Sequence, residues 1–341
     1  MPIRDFSHIA GCLLGGAVGD ALGAPVEFLS LAELRGQFGP AGVTDYLERN
    51  AEGRAEFTDD TQMTLFTAEG LLIARQRAAW DPMQSIYRAY LRWLRTQRSR
   101  PTGPTGELTR EGRLIGVNGM WKIRAPGGTC LTALGSGRMG TPDQRINNSK
   151  GCGGVMRAAP VGMFFAGEAA FERGCQSAAI THGHPSGYLA AGVLAQTVAE
   201  IIARHEPGCH PREVLEKSIL ASVETLRRWP DHEETLRSVE QALQVAREAP
   251  AVPETVQSLG GAWVGEEALG ISLFCALAHA EDFRAGVLLS VNHSGDSDST
   301  GAITGNLLGL LNGVEAIPAP WLEHLDLREE IESVAQEIIG T

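Results

Sequence analysis

Long uninterrupted apolar runs are missing from this 341-residue chain, as are paired cysteines, an excess of positive charge and a generous supply of aromatic rings. Each absence excludes something. The best candidate for a targeting or membrane segment, GCLLGGAVGDALGA, is interrupted by Asp20, and the Arg4 ahead of it is offset by Asp5. No stretch reaches the roughly 18 consecutive apolar residues of a spanning helix, so a cytoplasmic protein with no membrane contact is expected. Six cysteines stand at 12, 130, 152, 175, 209 and 275 without a CxxC spacing, which removes zinc knuckles and a compact disulfide framework. Reduced thiols are the simplest account. The net charge of −12 leaves no overall basic surface to follow a phosphate backbone, and no nucleic-acid partner is expected. Aromatics make up only 6 % of residues against 43 % hydrophobic, so the core is built from Leu, Ala, Val and Ile. That is material for packed helices rather than for a β-sandwich.

What the chain does have is helical periodicity. Apolar residues recur three and four apart over 5–23, 60–78, 81–98, 152–166, 168–180, 186–204, 211–228, 231–248, 264–279, 281–291, 299–314 and 325–339. No alternating run predicts a sheet. Segments 28–57 and 99–151 are richer in Gly, Pro, Ser, Thr and Asn and read as loop insertions in one domain spanning 1–341. Two helical segments carry Gly at every fourth position, at 11, 15, 19 and 23 and again at 301, 305, 309 and 313. Each such Gly costs about 1 kcal/mol against Ala in a helix, so close backbone packing must offset it, and the two segments are expected to be central and to touch.

Two acidic clusters stand at predicted helix starts. In 57-FTDDTQ, Thr58, Asp59 and Asp60 suit either a helix cap or a metal site. One carboxylate suffices for a cap, and adjacent Asp59 and Asp60 would otherwise repel each other. In 292-NHSGDSDST, Asp296 and Asp298 alternate with hydroxyl residues, Ser299 among them, and make hard oxygen donors, again with a decorated cap as the alternative. Taken together the clusters suit two divalent cations, Mg²⁺ or Mn²⁺, about 3.5–4 Å apart and able to orient a water and a sugar diol. Neither pair of carboxylates is joined by Cys ligands, which argues against zinc. A third segment, 149-SKGCGGVMR, precedes a helical stretch whose free amides would cradle a diphosphate without net positive charge.

With these blocks in view, the chain resembles the ADP-ribosylglycohydrolase family, which includes dinitrogenase reductase-activating glycohydrolase and the ADP-ribosylarginine hydrolases. The resemblance runs from GCLLGGAVGDALGAPVEF through FTDDTQMTLFTAEGLL, SKGCGGVMRAAPVG, ITHGHPSGY and GAWVGEEAL to GDSDSTGAITGNLLGLLNG. It implies an all-α, compact orthogonal bundle with a binuclear Mg²⁺ or Mn²⁺ centre in a cleft, and hydrolysis of ADP-ribose from modified protein, with arginine as the linkage. It also implies roles for residues of this chain. Thr58, Asp59, Asp60, Asp296, Asp298 and Ser299 would hold the metals. Glu27, Asp59 and Asp60 would supply the catalytic carboxylates, Glu27 lying over the metals. Ser149, Gly151, Cys152, Gly153, Gly154, His182 and Tyr188 would contact ADP-ribose, although Cys152 stands where some relatives have Asn. Asp20 reads as a structural cap, His184 as a second suggestive histidine, and Trp263 as either a stacking platform or a core residue. Alternatives are hydrolysis of ADP-ribosylserine or O-acetyl-ADP-ribose, and neutralisation of an ADP-ribosyltransferase toxin by contact, with 28–57 as a protruding partner-binding segment.

Overall fold

The computed structural model describes residues 5–77, 80–98, 111–206 and 208–340. Among them are α1 (Phe6–Gly23), α2 (Leu31–Phe38), α3 (Asp59–Gln76), α4 (Pro82–Thr96), α5 (Gly128–Gly135), α6 (Ala159–Phe164), α7 (Gly167–Ala179) and α8 (Pro185–Arg204). There follow α9 (Pro211–Leu226), α10 (Glu233–Glu248), α11 (Pro253–Gln257), α12 (Gly265–Ala278), α13 (Phe283–Val291), α14 (Ser297–Asn312), α15 (Ala319–His324) and α16 (Arg328–Ile339). The fold is all-α. β-Structure among these residues is limited to two isolated bridges, Ala55 with Leu325 and Gly151 with Val264.

The two glycine stripes face each other, and they run antiparallel. A Cβ added to Gly11 would lie 2.3 Å from the Gly309 carbonyl oxygen, one on Gly15 2.4 Å from that of Gly305, and one on Gly19 2.0 Å from that of Gly301. Only hydrogen fits between these backbones, so the close approach requires glycine rather than merely tolerating it. The seam buries α1 from Ile9 to Gly23 and α14 from Ser297 to Leu311. By length and composition, residues 6–26 and 185–204 would pass for membrane spans, but 89 % of each apolar window is buried inside the protein. They are core helices here.

Several boundaries differ from the sequence reading. The helix expected over 152–166 is a 3-10 turn at Cys152–Gly154 followed by the short α6, which has Pro160 in its first turn. Gly153 and Gly154 disfavour a continuous helix, and a proline ring is accommodated only at a helix start. Four short helices, α2, α5, α11 and α15, went unread. Segment 28–57 does not protrude: Leu31, Leu34 and Val43 are buried, and Asn292 of the body bonds both the amide and the carbonyl of Val43, at 2.7 and 2.9 Å. Of the 99–151 insertion, 111–151 contains two 3-10 turns and α5, while 99–110 lie outside the described residues.

Candidate metal centre

The first acidic cluster sits at the start of α3, where the capping is done by other groups. Asp20, fully buried near the end of α1, accepts from the Thr58 amide at 2.8 Å, the Thr61 amide at 3.0 Å and the Thr61 hydroxyl at 2.6 Å. The Thr58 hydroxyl accepts from the Asp60 amide at 3.2 Å. Asp20 is therefore structural, as read, but it caps α3 rather than its own helix. With the cap filled, the carboxylates of Asp59 and Asp60 are released from local work. Asp59 accepts from the Gly127 amide at 3.1 Å, while Oδ2 of Asp60 is buried without a hydrogen-bond partner.

The second cluster starts α14 and caps it directly. Asp296 accepts from the Ser299 amide at 3.2 Å, and Asp298 accepts from the same amide at 2.9 Å. The Cys152 thiol donates to the other Asp296 oxygen at 2.8 Å. Gly295, at φ 138°, turns the chain into this start, and the Asp296 amide donates to the Gly261 carbonyl at 3.0 Å. Glu27, just after α1, joins the group: Glu27, Asp296 and Asp298 each bring an oxygen to within 4.8 Å of the others.

These groups open onto one cavity, lined by Glu27, Asp59, Asp60, Asp296, Asp298 and Ser299 together with Gly127, Cys130, Gly151, Cys152, Gly153 and His182. Five carboxylates share this lining with no Lys or Arg. Two unit charges 4.8 Å apart repel by on the order of 3 kcal/mol at an effective dielectric of about 20. The acids respond as expected: burial, reinforced by the neighbouring carboxylates, pushes Asp59 up to about 8 and Glu27 up to about 7, and raises Asp60 and Asp298 well above the usual carboxylate range. A protein gains nothing from burying such a set alone. A crowded, all-oxygen donor set with an unpartnered buried oxygen fits the chemistry of hard divalent cations.

The sequence-predicted residues divide. Glu27, Asp59, Asp60, Asp296, Asp298, Ser299, Gly151, Cys152, Gly153 and His182 line the cavity together. Thr58 is beneath it as the α3 cap. Ser149 stands behind the lining, bonded to the Gly151 amide at 3.3 Å and paired with the Thr129 hydroxyl at 3.2 Å. Gly154 packs against Gly187 and Ala178, and Tyr188 lies beside Arg145, both outside the lining. The helix-dipole argument for 149–157 weakens, since only a three-residue 3-10 turn begins there. His184 caps α8 by accepting from the Ser186 amide at 3.2 Å. Trp263 is not a core residue: it is 46 % exposed and stacks on Phe28, itself 79 % exposed, with ring centroids 5.6 Å apart and planes 20° apart. Sequence reasoning missed the far wall, Ala125 to Cys130, where Ala125 holds a left-handed backbone at φ 48°. Its one signal was the APGGTC run, read only as loop.

The chain is similar along its length to proteins of one family. All of residues 1–341 match the family described as ADP-ribosylglycohydrolase. The ADP-ribosyl-[dinitrogen reductase] glycohydrolase of Rhodospirillum rubrum is 27 % identical over 94 % of this chain and 91 % of its own length. The ADP-ribosylarginine hydrolase Tri1 of Pseudomonas putida is 24 % identical over 99 % and 79 %. A solved structure titled an ADP-ribosylglycohydrolase-related protein complex superposes with a TM-score of 0.64 at 28 % identity, covering 99 % of this chain and 98 % of that one. On the fold, the blocks and the match along its whole length, this chain belongs to the ADP-ribosylglycohydrolase family.

Proposed function

We propose that this chain is a metal-dependent hydrolase that releases ADP-ribose from ADP-ribosylated arginine in protein. The observation that carries the reading is the cavity itself, where five converging carboxylates and a buried, unpartnered Asp60 oxygen form a donor set that bound cations would neutralise. Asp59, Asp60, Asp296 and Asp298, with Glu27 reaching the second pair, would hold two Mg²⁺ or Mn²⁺ ions, and the hydroxyl of Ser299 faces the same space. When bound, such ions supply Lewis acidity toward water and the ribose diol. The rest is work for the chain. Glu27, half-buried at the cavity, would take a proton from the attacking water and pass it to the departing guanidino nitrogen. Departure of the guanidino nitrogen leaves positive charge on the ribose, which the surrounding carboxylates favour. Gly151 and Gly153 present bare backbone to the ligand's approach. The arginine linkage is supported by Tri1 among the relatives and by the exposed Phe28–Trp263 pair next to Glu27, whose ring faces suit a guanidinium.

The test is a comparison of three defined substrates, ADP-ribosylarginine peptide, ADP-ribosylserine peptide and O-acetyl-ADP-ribose, with Mg²⁺, with Mn²⁺ and with chelator. Release from arginine is expected to be fastest and to stop on chelation. Faster release from serine or the acetyl ester would transfer the assignment to that bond, and full turnover in chelator would remove the metals from it.

A further inference from the structure

Behind the cavity wall lies a guanidinium with no ion-pair partner among the described residues. Arg157 is fully buried. Its Nη1 reaches the sulfurs of Met63 and Cys130 at 3.2 and 3.4 Å, its Cζ lies 4.2 Å from the centre of the Tyr90 ring, and its Nη2 donates to the Thr181 hydroxyl at 2.6 Å. Burying a charge without an opposite charge is costly, so the position asks for a reason. Thr181 passes the effect on, because its Oγ1 also lies 2.8 Å from Nδ1 of His182.

An arginine has only hydrogens to offer, so the Thr181 oxygen accepts from it and must place its own proton elsewhere. Three acceptors are in reach: the Ala178 carbonyl at 3.5 Å, His182 Nδ1 at 2.8 Å and the Cys130 sulfur, which accepts only weakly. The first is at the limit of a hydrogen bond and the second is ideal. The proton therefore goes to Nδ1, which must be bare, and the single ring proton of His182 sits on Nε2. That nitrogen faces the cavity wall, 3.5 Å from where a Cβ on Gly151 would stand and 3.2 Å from one on Gly153. Glycine at both positions keeps the approach open.

We propose that Arg157, acting through Thr181, is a positioning residue that fixes His182 as a neutral Nε2–H donor aimed at an acceptor oxygen of the ligand. Burial, then the Arg157 charge, pushes His182 down to about 3, which agrees with a ring that stays neutral. The acidic cavity thus gains a donor that neither titrates with nor pairs with its carboxylates. The ligand oxygen it meets is taken to belong to ADP-ribose, and in that respect the inference rests on the function proposed above.

The experiment is ¹⁵N–¹H correlation of the histidine rings in the full-length, ligand-free protein, followed by ADP-ribose titration in the presence of Mg²⁺. His182 is expected to show a pyrrole-type Nε2 and a pyridine-type Nδ1. Thr181→Val, close to isosteric, is expected to scramble the tautomer and weaken ADP-ribose binding by about tenfold, the worth of one hydrogen bond. Thr181→Ser, which restores the hydroxyl, is expected to recover both. A wild-type ring protonated at Nδ1, or a Thr181→Val ring that keeps the wild-type tautomer, would overturn the relay. The expected tautomers with no binding of ADP-ribose would uphold the relay and sink the functional reading instead.

Discussion

The starts of α3 and α14 carry the same kind of side chains and are held in opposite ways. At α3 the capping is done by the Thr58 hydroxyl and, from outside, by Asp20 of α1, so the carboxylates of Asp59 and Asp60 are left with few bonds of their own. At α14 the acidic residues cap themselves, with Asp296 and Asp298 both accepting from the Ser299 amide. Both starts are nevertheless fixed to one reference, α1. One is tied to it by a single buried carboxylate and the other by a glycine seam of backbone against backbone. Convergence of distant acids is thus a property of α1 rather than of either cluster.

The comparison can be broken at the carboxylates. Asp60→Ala and Asp298→Ala are each expected to fold and to lose more than the 10–100-fold that follows removal of an outer partner of a metal ligand. Hydrolysis rates beside circular dichroism check this, and full activity in both would end the metal assignment. The two attachments differ next. Gly305→Ala drives a Cβ to 2.0 Å from the Gly15 carbonyl oxygen, so a loss at the upper end of the ~1–3 kcal/mol of an overpacked core is expected in denaturant unfolding. Asp20→Asn keeps its shape but weakens a charged cap, and is expected to cost metal affinity by about tenfold while moving stability by about 1 kcal/mol. Calorimetric titration and thermal unfolding separate the two effects.

The most gradual effect expected is on pH dependence. Folded, Asp59 and Glu27 hold their protons up to about 8 and about 7, well above the values of roughly 3.9 and 4.3 for unfolded chains. Between those limits the folded chain binds more protons than the unfolded one, so stability is greatest below about pH 4 from this source and falls as pH rises toward 8. The metal-free melting temperature is expected to decline across that window, more shallowly in Asp59→Asn, and Mg²⁺ or Mn²⁺ is expected to reverse the decline at pH 8.

Much of this was legible in the amino-acid sequence because it depends on local chemistry. Helices announced themselves by period, and the glycine spacing foretold a close pairing that α1 and α14 do make. The acidic clusters were visible as pairs of carboxylates at helix starts. What stayed hidden depends on contacts across the fold. That Asp20 caps a helix 38 positions later follows from no local rule. The far wall at Ala125–Cys130 carries no charged residue to mark it, and Arg157 sits in an apolar stretch whose neighbours explain it only once packed. The α2 helix is a different case: Ser30 and Glu33 form a complete capping box, a signal present in the sequence of a segment that reads as a loop insertion.

α1 and α14 are far apart along the sequence, and the antiparallel seam between them has a consequence for biosynthesis. While the chain is being translated, α1 leaves the ribosome with its glycine face uncovered, and its partner follows only after residues 24–296 have been made. Contacts of such sequence separation form late and slowly. A chain truncated before residue 296 holds Glu27, Asp59 and Asp60 without Asp296, Asp298 or the seam, so the centre cannot be assembled from that fragment.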